Sequence, residues 1–296
     1  MLVFAISDKG GTGRSVTSTN IAYRCALAGQ DVCYVDFDFG SPTAGAVFNL
    51  ERYQHGVDEG GVHSYLLNKV ADPHRVNVFD QSDRREMRQR PPGAGQLILM
   101  PGDSGGGEFP SNPDVIRRCV SLFRNLESRY EVNLVDLSAG RSYAVVMALA
   151  ATRQLPKVKS RWLVYHRWTQ QHIIGAASLV HGDQGIVSTG VGLGHDRDRL
   201  LDSIRFIRTA VVDAGAENLT PEQATWVANT DRYLKQLARD RGAGKQELLG
   251  SVPLDPVLQW REQLITGGDP IANKATAKAF ETLAELVMDD DAWERL

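Results

Sequence analysis

Leu2-Val3-Phe4-Ala5-Ile6-Ser7-Asp8-Lys9-Gly10-Gly11-Thr12-Gly13-Arg14-Ser15-Val16 is the stretch whose reading decides the fold. Leu2 to Ile6 form an unbroken apolar run of strand length, the pattern of a central parallel strand covered on both faces. After Ser15 the apolar positions Val16, Ile21, Cys25 and Ala28 recur at helical spacing, and Gly29 stands where a helix end takes a left-handed residue. A strand feeding a helix through Gly10, Gly11 and Gly13 turns several backbone N–H groups onto one point, because glycine accepts the dihedrals and permits close approach. An anion bound there also meets the positive end of the helix dipole. Ser15, first on the helix, is placed to offer its hydroxyl to a magnesium ion bridging phosphates. The motif reads as a phosphate-binding loop.

Downstream, Val32 to Asp38 form a second buried strand that ends in the two carboxylates Asp36 and Asp38 before the turn Gly40-Ser41-Pro42. Acidic residues at the carboxyl end of a parallel strand point into the crevice where open α/β sheets bind ligands. Gln96 to Gly102 give another strand. Asn112-Pro113 opens a helix with a cap and a first-turn proline, and Val115, Ile116, Cys119, Leu122, Phe123 and Leu126 form its buried stripe. Val132 to Leu137 deliver Asp136 into the small turn Ser138-Ala139-Gly140, and Tyr143 to Ala150 follow as a helix. Arg161 to His166 read as a further strand. His166 at its end lacks nearby triad-like partners in sequence and reads as structural.

Residues 181–222 contain a glycine-rich connection and then a helical stretch through Leu200, Leu201, Ile204, Ile207 and Val211. Thr225 to Asp231 are expected to be a late strand with Asn229 at its carboxyl end. Leu248 to Asp255 are expected to be the last strand and its turn, Asp255-Pro256 caps a short helix, and Ala279, Phe280, Leu283, Leu286 and Val287 stripe a closing helix.

These motifs resemble the ParA/MinD family of deviant Walker A ATPases, closest to its MinD-like members. The likeness runs through residues 1–50, 96–180 and 225–288 in the right order. It implies a doubly wound, mostly parallel sheet with helices on both faces: a single domain over 1–288 with insertions at about 51–95 and 181–222, and an acidic tail at 289–296. It also implies ATP with Mg²⁺, a homodimer formed through the nucleotide, and hydrolysis that releases it.

By the resemblance, Gly10, Gly11, Thr12, Gly13, Arg14, Ser15 and Val16 hold the nucleotide. Lys9 is the family's signature lysine, which reaches across the dimer to the partner's phosphates. Asp38 positions the attacking water, Asp36 supports the magnesium shell, and Asp136 holds the metal through water together with Ser15. Asn229 contacts the adenine, with backbone around Pro253 and Leu254 flanking the base. The guanine-reading pattern N-K-x-D is absent, which favours ATP over GTP.

One departure stands within the family pattern, for Arg14 occupies the position of the Walker lysine. A guanidinium is broad, planar and forked where an ammonium is a compact point charge. Slow hydrolysis is one expectation, and a nucleotide-binding scaffold or regulator with little hydrolysis is the alternative.

The 42% hydrophobic content of 296 residues suffices for a sizeable core, and the net charge of −3 excludes a globally basic nucleic-acid binder. A local basic patch remains open. Four arginines between Arg84 and Arg90 form one candidate contact for DNA or an acidic partner, and Arg197, Arg199, Arg205 and Arg208, interleaved with aspartates, form a second. An ATP-dependent nonspecific DNA-binding partition protein is therefore a further alternative. Cys25, Cys33 and Cys119 lack metal-ligand spacing and read as buried reduced thiols. No run approaches the ~20 apolar residues of a membrane span, so a soluble, cytoplasmic (bacterial) protein is expected. The tail Asp289-Asp290-Asp291-Ala292-Trp293-Glu294-Arg295-Leu296 would be repelled by anionic lipid, which disfavours direct membrane binding by this terminus. A protein partner or cargo is implied but not named by the residues.

Overall fold

Leu2–Ser7 (β1) lies inside an eight-stranded sheet in the computed structural model, which describes residues 1–215, 219–261, 263–266, 269 and 274–294. The other strands are Val32–Phe37 (β2), Val76–Asn77 (β3), Leu97–Met100 (β4), Val132–Leu137 (β5), Ser160–Arg167 (β6), Ile204–Val211 (β7) and Leu248–Pro253 (β8). They run in the order β3-β4-β2-β5-β1-β6-β7-β8. Every neighbouring pair is parallel except β3 against β4. The chain winds from β1 outward through β2 to β4, returns to β5, and then winds the other way through β6 to β8. The carboxyl end of β1 thus faces the switch in winding direction where such sheets open a crevice.

Pleating sends alternate residues of β1 to opposite faces. Leu2, Phe4 and Ile6 join a core with Phe123, Ala148 and Trp162 beneath the helices Pro113–Arg129 (α2), Tyr143–Arg153 (α3) and Gln170–His181 (α4). Val3 and Ala5 join Tyr34, Leu163, Phe280 and Leu283 on the other face. That face is covered by Arg14–Leu27 (α1) and Lys274–Met288 (α6). Asn112 caps α2 through the N–H groups of Asp114 and Val115, as its sequence indicates. No described helix is long and apolar enough to cross a membrane.

Two expectations fail together. Thr225 to Asp231 are not a strand but the middle of the helix Pro221–Asp240 (α5), which starts from a full capping box between Thr220 and Gln223. The strand next to β6 comes instead from within 181–222, where the short helices Ile186–Gly192 and Arg197–Asp202 precede the extended Ile204–Val211. Residues 216–218 of that segment lie outside the described residues. Read as a sequence, β7 looks amphipathic because Arg205 and Arg208 interrupt its apolar residues. In the fold both arginines are buried on aromatic rings: Arg205 sits 5.3 Å from the Trp293 ring centre and Arg208 3.9 Å from that of Trp168.

The acidic terminus is likewise part of the body. Trp293 is buried between Arg161 and Arg205, and Asp290 pairs with Lys159 and Arg161. Arg295 and Leu296 lie outside the described residues. Residues 51–95 hold short helices and β3. Among their arginines, Arg84 is tied to Asp269, to the Leu264 carbonyl and to the Thr266 hydroxyl.

Trp293→Ala is expected to lower stability by about 3 kcal/mol, the scale of an aromatic removed from a core. Trp260→Ala, at a position 86% exposed, should stay within about 0.5 kcal/mol. Urea unfolding of both variants measures the contrast.

Candidate functional site

The turn after β1 is built as its glycines require. Gly11 and Gly13 take the left-handed φ values +71° and +75°, which leave α1 with Gly13 as its N-cap. No side chain caps this helix and its first turn holds no acidic residue. The N–H groups that begin a helix lack intrahelical partners, so an uncapped start among glycines is a receptor for an anion. Thr12 is buried, and its carbonyl accepts from the Thr209 hydroxyl of β7 at 2.6 Å. Lys9 is exposed to solvent.

Beside the loop opens a cleft of about 210 Å³, lined among others by Gly13, Val16, Arg167, Thr209, Ala210 and Pro253. Ala210 has φ +53°, in an irregularity of the β7–β8 pairing between Arg208 and Val211. A left-handed alanine costs roughly 1 kcal/mol, and strain of this kind collects at functional sites. The cleft is continuous with the phosphate-binding turn, since Gly11, Thr12 and Gly13 line both.

Behind the loop the carboxylates converge. Arg14, only 7% exposed, sets Nη2 2.7 Å from Asp38 Oδ2 and Nε 2.6 Å from Asp136 Oδ1. Burial opposes its charge, but Asp136 and Asp38 outweigh that and hold the guanidinium protonated. Asp136 Oδ2 accepts from the Tyr34 hydroxyl at 2.7 Å, which lies 2.8 Å from Ser18 Oγ. Burial pushes the Asp136 carboxyl up, while Arg14, Tyr34 and Ser15 draw it back.

Asp36 is engaged elsewhere. Its Oδ1 accepts from the Asp38 N–H and its Oδ2 from the Ala44 N–H, so it organises the loop that carries Asp38. Burial, then the neighbouring Asp136, push its carboxyl well above the usual range. The same loop is held from two other sides. Ser138 Oγ accepts from the Phe39 N–H at 3.0 Å, and His63 Nε2 lies 3.1 Å from the Phe39 carbonyl. His63 Nδ1 accepts from the Asp103 N–H, so the neutral ring donates through Nε2.

The oxygen set of Ser15, Asp38 and Asp136 is of the kind magnesium takes. A guanidinium nevertheless already bridges both carboxylates. As arranged, these residues do not fit a resident divalent ion, because it would meet Arg14 at the same oxygens.

The structure therefore brings Gly10 to Val16, Asp38, Asp136 and Pro253 together around one crevice. Leu254 adjoins it, its N–H donating to the Val211 carbonyl. Asn229 does not lie at a strand end: it is exposed on α5, where its Oδ1 accepts from Arg232. The positions that sequence reading missed are Tyr34, Ser18, His63, Ser138, Arg167, Thr209 and Ala210. A hydroxyl within an apolar strand was the available sign for Tyr34. Thr209 and Ala210 carried none once β7 was read as helix.

The model of the CobQ/CobB/MinD/ParA nucleotide binding domain matches residues 3–263. An iron-sulfur cluster carrier protein of Saccharolobus solfataricus is 23% identical over 96% of this chain and 81% of its own length. Among solved structures, the septum site-determining protein MinD from Pyrococcus horikoshii, complexed with Mg-ADP, matches with a TM-score of 0.57 and 16% identity. That match covers 100% of this chain and 99% of the other. A putative plasmid partition protein from Borrelia burgdorferi, bound to AMPPNP, matches with a TM-score of 0.61 and 14% identity, covering 96% of each chain.

Asp136→Ala would leave a buried guanidinium short of a partner, and it should cost about 3–5 kcal/mol in urea unfolding. The His166 ring, buried between Trp168 and Phe206, is pushed down to about 4 by burial. Its unfolded value is higher, so the unfolded chain binds the extra proton: stability is complete above about pH 6.5 and falls as the pH drops toward 4. The loss should be on the order of 2–3 kcal/mol. A His166→Gln variant should show a flatter stability profile across that window.

Proposed function

The chain belongs to the CobQ/CobB/MinD/ParA nucleotide-binding family, and from that premise we propose that it is an ATP-binding switch that pairs with a second copy of itself through the nucleotide. The observation that carries this reading is the uncapped start of α1 behind the left-handed Gly11 and Gly13, with exposed Lys9 beside it. Backbone N–H groups from Gly10 to Ser15 donate to the phosphate oxygens, and the helix dipole adds to their attraction. Val16, Thr209 and Pro253 flank the ribose and base in the adjoining cleft. Lys9, free of any ion pair among the described residues, reaches the phosphates held by the partner copy. Hydrolysis, where it occurs, uses Asp38 at the end of β2 to orient water in line with the terminal phosphate.

A second reading, a scaffold that binds nucleotide and hydrolyses little, is favoured by one contact. Asp38 Oδ2 is held by Arg14 at 2.7 Å, so that oxygen is already engaged where a water would have to be oriented. The iron–sulfur carriage named for the Saccharolobus relative is not carried over to this chain. Cys25, Cys33 and Cys119 are buried within separate elements, and burial pushes their thiols up, Cys25 to about 12.

Lys9→Ala should abolish ATP-dependent dimerisation while leaving the fold intact. Light scattering on the native chain and the variant, each with ATP, measures it, and a variant that still dimerises removes the sandwich. Turnover by the native chain, set against Arg14→Lys and against Asp38→Ala as the blank, separates the cycling switch from the scaffold.

A further inference from the structure

We propose that Arg14 is a built-in counter-cation, so that this chain holds its nucleotide without a divalent metal. The inference rests on the nucleotide-binding reading above. At a phosphate loop a divalent ion links the phosphates to the acidic residue at the end of a neighbouring strand and cancels their mutual repulsion. Here that residue, Asp136, is already linked. Arg14 follows Gly13 directly, and its Nε and Nη2 lie 2.6 Å and 2.7 Å from Asp136 and Asp38.

The choice of arginine is what makes this geometry work. A guanidinium is planar, with five N–H donors, so a single side chain can bridge two carboxylates and keep donors over for a phosphate. It stays charged under burial, as the two carboxylates raise rather than lower its affinity for the proton. An ammonium at the same position is a point charge with one centre. It would leave one carboxylate uncompensated and open to a metal.

The remaining oxygen of Asp136 is not vacant either, since it accepts from the Tyr34 hydroxyl at 2.7 Å. A divalent ion bound through Ser15 and Asp136 would stand within a few Å of the guanidinium and compete with it for the same oxygens. The site therefore carries one fixed positive charge at the place where the ion would supply two.

Titration calorimetry with ADP and with AMPPNP, in excess Mg²⁺ and in excess EDTA, tests the proposal on the native chain. The expected result is a Kd in EDTA within about threefold of that in Mg²⁺. A larger loss in EDTA overturns it. Arg14→Lys should acquire a metal requirement, binding at least about tenfold more weakly in EDTA. If folded Arg14→Lys binds equally in both buffers, arginine is not the cause, and the proposal is likewise overturned. Should the variant fail to fold, the native comparison decides alone. Absence of binding in either buffer would instead overturn the nucleotide-binding reading itself, whereas binding that needs Mg²⁺ overturns only the role given to Arg14.

Discussion

Arg14 is the cation on which the site depends: its buried guanidinium meets the buried Asp136 of β5 and the partly exposed Asp38 on the loop after β2. Removing charge from any member leaves the others costly, because a buried ion without its partner loses hydration and gains nothing in return. The pair thereby fixes α1 against the carboxyl ends of β2 and β5. Tyr34 and Ser18 continue the chain of hydroxyls beneath Asp136, so the inner wall of the crevice is one connected polar network inside an otherwise apolar core.

The sheet makes that convergence possible. β1 and β2 are not neighbours but are separated by β5, and this order sets Asp36 and Asp136 side by side in register. On its other flank β1 meets β6, and β7 beyond it supplies Thr209 to the carbonyl of Thr12. Residues more than a hundred positions apart thus reach one turn, and the turn itself is shaped by Gly11 and Gly13, whose positive φ a side chain would strain.

Much of this was legible from local pattern. The strand, glycine turn and helix of residues 2–27 carry their signals within a few positions, as do Asp136 with Gly140 and the cap at Asn112. The failures have one physical origin. Periodicity assigns charged residues to solvent, and β7 buries Arg205 and Arg208 by stacking them on Trp293 and Trp168 from distant parts of the chain. With the true strand disguised, the stretch around Asn229 took its place, although Thr220-Pro221 and Gln223 spell a helix start that the structure uses. The acidic run at the terminus misled in the same way, for its tryptophan supplies the ring on which Arg161 and Arg205 rest. The partnership of Arg14 with both carboxylates was out of reach as well: a residue type suggests which partners are chemically suitable, but only the fold states which of them it meets.

The loop that carries Asp38 shows how position and charge are governed separately. Its backbone is held by Asp36 from β2, by Ser138 after β5 and by His63 from the segment before β3. None of these ties involves Arg14. If the guanidinium turned toward a phosphate, Asp38 would lose its counter-charge yet keep its place, since three contacts from three elements still fix the backbone around it. A carboxylate oxygen released in place is open to a new hydrogen-bond partner without any rearrangement. In this architecture the arginine acts on the ionic state of the site, and the loop contacts act on its geometry. A single substitution in the phosphate loop can therefore retune the chemistry while the fold that supports it stays as it is.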